Sequence, residues 1–299
     1  MRALITNDDG IDSPGLTVLA ERAAAEGYEV VVAAPRRESS GASAALMGTE
    51  DDGRLIVERR SPPGLPDGVE SFGVRATPAL ITLVAAHGGF GPPPDLVLSG
   101  INRGANTGHA TLHSGTVGAA LSASTHGMLA MAVSLNSADP QHWDTAGYVV
   151  ERALRWLLEN PDPTRVMNLN VPDRPVDQIL GLRKAPLASF GMVHARIKEA
   201  DHGHLTLTYT GTDMSKEPQS DAGLVARGWA TVSLLRAPVA DDDADLPHFE
   251  HEGAREHRVI AQRSRADRAQ PSGGEDDDGA EIIDTIDAGT MTGQEFPEP

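Results

Sequence analysis

The chain has 299 residues, a formal net charge of −18 and no cysteine, which excludes disulfides, thiolate metal sites and cysteine nucleophiles. Residues 241–299 hold 17 acidic and 5 basic side chains, a net of −12, and the first 240 carry only −6; an acidic body of this kind excludes general binding to nucleic-acid duplexes. No run approaches the roughly 20 apolar residues that a membrane span needs, and Asp8 and Asp9 cut short the apolar run after Arg2, so neither a membrane partner nor a signal peptide is expected and the protein is read as cytoplasmic.

Arg2 to Thr6 is a short apolar run suited to a strand buried on both faces. After the turn at Asn7–Gly10, Pro14 stands where a helix would begin and Gly27 where it would end, and Leu16, Leu19, Ala20 and Ala23 mark one apolar face between them. Tyr28 to Ala34 is a second strand, closed by Pro35. A strand, helix and strand of this length predict a right-handed parallel crossover. Residues 36–76 are polar and punctuated by Gly and Pro, and predict irregular β structure with long loops.

A helix opened by Thr77-Pro78 follows, then a buried strand at Asp95 to Leu98 and a helix at Ser114 to Thr125. Leu129 to Leu135 predicts another strand, Trp143 to Leu158 an amphipathic helix, and Val166 to Val171 a sixth strand. This alternation predicts an α/β doubly wound sheet. Beyond about residue 175 the texture changes. His204 to Thr210 and Trp229 to Leu235 alternate with period two, as antiparallel strands do. Residues 271–299 hold nine acidic and no basic side chains, too little apolar surface to offset their ordering entropy. The expected organisation is a doubly wound core at 1–175, a region of antiparallel strands at 176–262, and a disordered acidic tail at 263–299.

The residues suited to chemistry gather after strands. Asn7-Asp8-Asp9-Gly10 follows the first, at the carboxyl edge where open parallel sheets bind ligands. Two adjacent carboxylates repel each other, and a hard divalent cation relieves that repulsion. An isolated N-D-D-G is an ordinary turn; three further elements at the same predicted edge change the odds. In Glu38-Ser39-Ser40-Gly41-Ala42-Ser43 a serine hydroxyl can complete an oxygen shell. Ser99 to Gly108 offers close backbone approach at its glycines and neutral amide groups at Asn102 and Asn106. His113 to Ala120 opens a helix with Ser114, Gly115 and Thr116, whose free N–H groups, dipole end and hydroxyls suit a phosphate. His113 adjoins that anion site, whereas the other histidines show no ligand spacing. Together the four elements predict a metal-dependent phosphomonoesterase.

Residues 4–16 (LITNDDGIDSPGL), 40–43 (SGAS), 99–108 (SGINRGANTG) and 113–120 (HSGTVGAA) closely resemble the SurE family of 5′/3′-nucleotidases, with further echoes at 167–172 (MNLNVP) and Ser220 to Leu235. The resemblance implies a Rossmann-like core, a protruding β-hairpin region, and homodimers or homotetramers built through C-terminal exchange. It implies one Mg²⁺ or Mn²⁺ per subunit on Asp8, Asp9, Ser40 and Asn102, with Ser39 as the neighbouring alternative. Asn106, Ser114, Gly115 and Thr116 would line the phosphate site, and Asp8, Asp9, Asn106 and Ser114 would be catalytic. The implied reaction is hydrolysis of nucleoside monophosphates by metal-activated water, with Asp8 or Asp9 as proton acceptor. Leu80 and Ile81 replace an acidic residue and a cysteine usual in the family, and the glutamate that often follows the Ala-rich helix is replaced around Ser122. Two other readings use the same residues. A covalent aspartyl-phosphate enzyme would want separated carboxylates and a nearby lysine, and the three lysines Lys184, Lys198 and Lys216 lie far from any predicted core strand end. A non-catalytic nucleotide-binding stress protein would not need four metal ligands.

Overall fold

The computed structural model describes residues 1–191, 193–201, 204–211 and 214–239. Strand β1 (Arg2–Thr6) is buried at every position. Helix α1 (Pro14–Ala25) starts on a proline, whose missing N–H has no partner to lose in a first turn. Strand β2 (Glu29–Pro35) returns parallel to β1, with Ala3 opposite Val30. Short strands β3 (Glu50–Asp51), β4 (Arg54–Leu55) and β5 (Val57–Arg59) lead to β6 (Glu70–Val74). Then come α2 (Pro78–Ala86), β7 (Leu96–Arg103), α3 (Gly115–Thr125), β8 (Leu129–Leu135), α4 (Trp143–Glu159) and β9 (Val166–Val171). Beyond them lie β10 (Leu182–Lys184), β11 (Val193–Asp201), β12 (His204–Gly211), α5 (Asp221–Ala226) and β13 (Ala230–Leu235).

Nine strands form one sheet in the order β10-β13-β9-β8-β7-β1-β2-β6-β5. From β9 through β6 every neighbouring pair is parallel, and antiparallel pairing enters at β13 against β9 and at β5 against β6. Alternate side chains go to opposite faces. Ala3 and Ile5 join Leu16 and Leu19 of α1 and Leu154 of α4 in one core, whereas Leu4 joins Ile81 of α2 and Val117 and Ala120 of α3 in the other. The result is the predicted mostly parallel sheet between two helical layers, with an additional antiparallel pair, β11 and β12.

Three local expectations change. Residues 36–76, expected as irregular β structure, contain β6, which pairs in parallel with β2 over Val31↔Glu70 to Pro35↔Val74. The strand expected to stop at Leu98 continues as β7 to Arg103 through an irregularity between Ser99 and Asn102. There Gly100 has φ of 136°, and an added Cβ would collide with the Val133 carbonyl oxygen; only glycine lets the two strands stay paired on either side. The strand near Trp229 to Leu235 joins the main sheet as β13, parallel to β10 and antiparallel to β9. Residues 176–239 therefore contribute the two outermost strands at one end of the main sheet, β10 and β13, and the separate β11–β12 pair. The expected acidic tail at 263–299 lies outside the described residues. Among those described, no helix is long and apolar enough to cross a membrane.

Candidate active site

The chain leaves β1 at Thr6 and turns on Asn7, whose side-chain amide donates to the Gly10 carbonyl at 3.0 Å and accepts from the Gly10 N–H at 3.1 Å. This pair of hydrogen bonds closes the turn around Asp8 and Asp9 at the carboxyl edge of the sheet. Asp8 is buried, 4% exposed, and accepts a short hydrogen bond from the Thr116 hydroxyl. Gly115 makes that approach possible, since a Cβ there would come within 2.8 Å of the Asp8 Cβ. Asp9 is half-buried and accepts from the Arg103 N–H at 3.1 Å.

Burial pushes the Asp8 carboxyl above its ordinary range, against the opposing pull of Thr116 and the backbone at Gly115. Asp9 is pushed up to about 6, first by burial and then by the neighbouring charge of Asp8. Both carboxylates thus resist ionisation in the protein alone, and a divalent cation would reverse that preference. No group of three or more His, Asp or Glu residues able to hold a metal occurs among the described residues, so a cation here would need neutral oxygen donors besides the two aspartates.

Such donors stand on both sides of the pair. The Ser39 N–H donates to the Asp8 carbonyl at 2.8 Å, and the Ser39 hydroxyl is buried with no hydrogen-bond partner among the described residues. Ser40 is exposed, its hydroxyl donating to Glu38 Oε1 at 2.6 Å. Asn102 is the last residue but one of β7, next to the Arg103 whose N–H reaches Asp9. Its amide N–H₂ donates to the Gly104 carbonyl at 2.8 Å and the Arg103 carbonyl at 3.2 Å, and Oδ1, the atom a cation requires, accepts no hydrogen bond among the described residues. An unpartnered buried hydroxyl, a free amide oxygen and two destabilised carboxylates form an oxygen set suited to Mg²⁺ or Mn²⁺.

The residues expected to line a phosphate site are held more firmly. Asn170 grips the Asn106 peptide at both ends: its Oδ1 accepts from the Asn106 N–H at 2.8 Å and its Nδ2 donates to the Asn106 carbonyl at 2.8 Å. Asn168 donates to the same carbonyl at 2.9 Å, and the Asn106 side chain donates to the Ser134 hydroxyl at 2.8 Å. Ser114 caps α3, its Oγ accepting from the Val117 N–H at 3.1 Å, and the hydroxyl hydrogen stays available to a ligand. Thr116 differs from expectation in that its hydroxyl already serves Asp8. His113 is exposed beside them, and its ring makes no hydrogen bond among the described residues.

The structure thus brings Asp8, Asp9, Ser39, Asn102, Asn106, Ser114, Gly115 and Thr116 to one edge of the sheet, with Ser40 turned outward beside them. Sequence reasoning missed Asn168, Asn170, Ser134 and Asp221. Asp221 is fully buried and accepts from the N–H groups of Gly108 at 2.9 Å, Ala188 at 2.9 Å and Ala222 at 2.7 Å, tying the loop after β7 to the start of α5. Two asparagines two residues apart in an otherwise apolar strand were the available signal, because buried amides require partners.

Residues 3–193 match the family model described as survival protein SurE. A 5′-nucleotidase SurE of Nitrosococcus oceani is 36% identical over 240 residues, covering 79% of this chain and 91% of its own length. A 5′/3′-nucleotidase SurE of Klebsiella pneumoniae is 36% identical over 255 residues, covering 82% and 93%. The crystal structure of the SurE protein from Aquifex aeolicus superposes with a TM-score of 0.68 at 23% identity, over 89% of this chain and all of that one, a likeness of fold. Motifs, fold and sequence identity converge, and the chain belongs to the SurE family.

Proposed function

We propose that this protein is a divalent-metal-dependent 5′(3′)-nucleotidase that hydrolyses nucleoside monophosphates to nucleoside and phosphate. The names of its curated relatives support the activity. The observation that carries the reading is the Asp8–Asp9 pair facing the first turn of α3, with oxygen donors on one side and the clamped Asn106 on the other. Asp8, Asp9, Asn102 and Ser40 would hold one Mg²⁺ or Mn²⁺, with Ser39 the alternative serine because its hydroxyl is the buried one. When bound, the cation supplies Lewis acidity toward phosphoryl oxygen and water.

The chain's own groups do the rest. Ser114 and Asn106 orient the phosphate and stabilise the charge that grows on its equatorial oxygens. Asn168, Asn170 and Ser134 fix Asn106 in advance, so no reorganisation accompanies the reaction. Water attacks phosphorus, the P–O ester bond breaks, and its electron pair leaves with the sugar oxygen, which takes up the proton that the attacking water gives up and departs as the nucleoside hydroxyl. Asp9 accepts the water proton on Oδ1, the oxygen that the Arg103 N–H does not engage, whereas Asp8 is tied to Thr116. A homodimer or homotetramer belongs to the same proposal, supported by apolar side chains left exposed at Leu46, Met47, Leu112 and Phe190.

Phosphate release from 5′-AMP, 5′-GMP and 3′-AMP, with Mn²⁺ and with a chelator, tests the reading. Release that requires Mn²⁺ is expected, and no release under any condition would favour a nucleotide-binding protein without catalysis.

A further inference from the structure

The carboxyl edge of the sheet continues past the Asp8 loop into a second, basic pocket. Arg36 and Arg37 follow β2, and Arg75 follows β6, the next strand outward. With Thr49 they line an open cavity of about 350 Å³ that has no acidic residue in its lining. The carboxylate paired with these arginines is Glu58, which lies outside the lining, 2.9 Å from Arg36 and 3.9 Å from Arg75, and which also approaches Arg60 at 4.0 Å. One negative charge therefore answers three guanidinium groups. Arg37 is exposed and makes no ion pair or hydrogen bond among the described residues. In a body whose net charge is negative, this is a local excess of cationic forks of the kind that grip phosphate.

The pocket is coupled to the candidate active site through the backbone. The Ile11 N–H donates to the Pro35 carbonyl and the Ser39 N–H to the Asp8 carbonyl, both at 2.8 Å. The segment carrying Arg36 and Arg37 is thereby fixed against the loop carrying the two aspartates. Adjacent strands stand about 4.8 Å apart, so the end of β6 lies roughly 10 Å from the end of β1. A ligand held at both places needs two anionic groups separated by a body of about sugar size.

We propose that the Arg36–Arg37–Arg75 pocket is a second anion subsite that takes a further phosphate of the substrate, making nucleotides phosphorylated at two separate positions the favoured class. The subsite rests on the placement of the first phosphate between Asp8 and α3 in the reading above. It predicts that a nucleoside 3′,5′-bisphosphate binds more tightly than the corresponding monophosphate, and that the surplus affinity belongs to the arginines.

Equilibrium binding to the full-length, chelator-treated chain reads this without turnover. Calorimetry with 5′-AMP and with adenosine 3′,5′-bisphosphate is expected to show about tenfold tighter binding of the bisphosphate, the scale of one charge-assisted hydrogen bond. In Arg37→Gln and Arg75→Gln, each confirmed folded by its thermal transition, that ratio should collapse toward one. The subsite is overturned if the bisphosphate binds no better than AMP or does not bind, or if both variants weaken the two ligands equally. Should the binding ratio behave as expected while no nucleotide is hydrolysed, the nucleotidase reading fails and the subsite stands.

Discussion

Two loops flank the Asp8–Asp9 pair, and they are built differently. The loop after β7 is fastened at many points: Asn168, Asn170 and Ser134 hold Asn106, and Asp221 holds Gly108. The loop after β2 is tied to the aspartates mainly through backbone, while the Ser40 hydroxyl turns to Glu38 and the Ser39 hydroxyl has no partner among the described residues. The contrast teaches a division of labour. Under the proposed function, the side that would take the phosphate is preorganised by protein alone, as electrostatic catalysis requires, and the side that would take the cation carries bonding capacity that a metal ion would complete.

The largest effect should come from the cation side. Asp9→Asn is expected to lower kcat/KM for 5′-AMP on the order of 10³-fold, since Lewis-acid stabilisation contributes several kcal/mol to the transition state. Retention of most activity would break the comparison at its base. On the side proposed for phosphate, Asn170→Ala removes the acceptor of the Asn106 N–H and one of the two donors to its carbonyl. It should reduce kcat by about 10²-fold, the scale of one lost oxyanion donor, and cost about 1–3 kcal/mol of stability through unpaired buried groups. The double variant with Asn106→Ala should lose little more than either single one, because the two act as a unit. Additive losses would show that Asn170 does not work through Asn106.

Ser39→Ala and Ser40→Ala separate the two hydroxyls of the loop after β2. Loss of the liganding serine should weaken Mn²⁺ binding by roughly 10–100-fold, the range for perturbing a metal's coordination environment, and loss of its neighbour should leave it nearly unchanged. Equal small effects would remove serine from the shell altogether.

The smallest effect is the pH dependence. The Asp9 pKa is raised from 3.8 to about 6 in the metal-free protein. A raised folded-state value means that this group favours folding below its unfolded pKa and that the contribution is lost as pH climbs through about 6. The metal-free protein should therefore lose stability from this group between about pH 4 and 6, and thermal melts of wild type against Asp9→Asn isolate it. Cation binding displaces the same proton, so Mn²⁺ affinity should fall as pH drops below about 6, and a pH-independent affinity would contradict the assignment.

Much of this was legible along the chain. The bounds of β1, β8 and β9 coincide with the predominantly apolar runs at Arg2–Thr6, Leu129–Leu135 and Val166–Val171, and Pro14 and Ser114 mark helix starts through the chemistry of a first turn. Asp8 and Asp9 announce themselves by adjacency at a strand end. What was illegible depends on partners distant in sequence. β6 has a weak pattern of its own and becomes a strand because β2 offers it an edge. β7 survives an irregularity at Gly100 only because β8 pairs with it on both sides. Asp221 lies 113 residues from the Gly108 N–H that it accepts, beyond any local periodicity. Ser39 and Ser40 are neighbours in a loop, where no repeat dictates which hydroxyl turns inward.

The claim that Asp8 and Asp9 form a cation site is tested most directly by titrating Mn²⁺ into the chelator-treated protein and counting bound ions. The account predicts one ion per protomer in the wild type and no binding in Asp9→Asn at the same concentrations. Unchanged stoichiometry and affinity in Asp9→Asn, or no binding in the wild type, would contradict it.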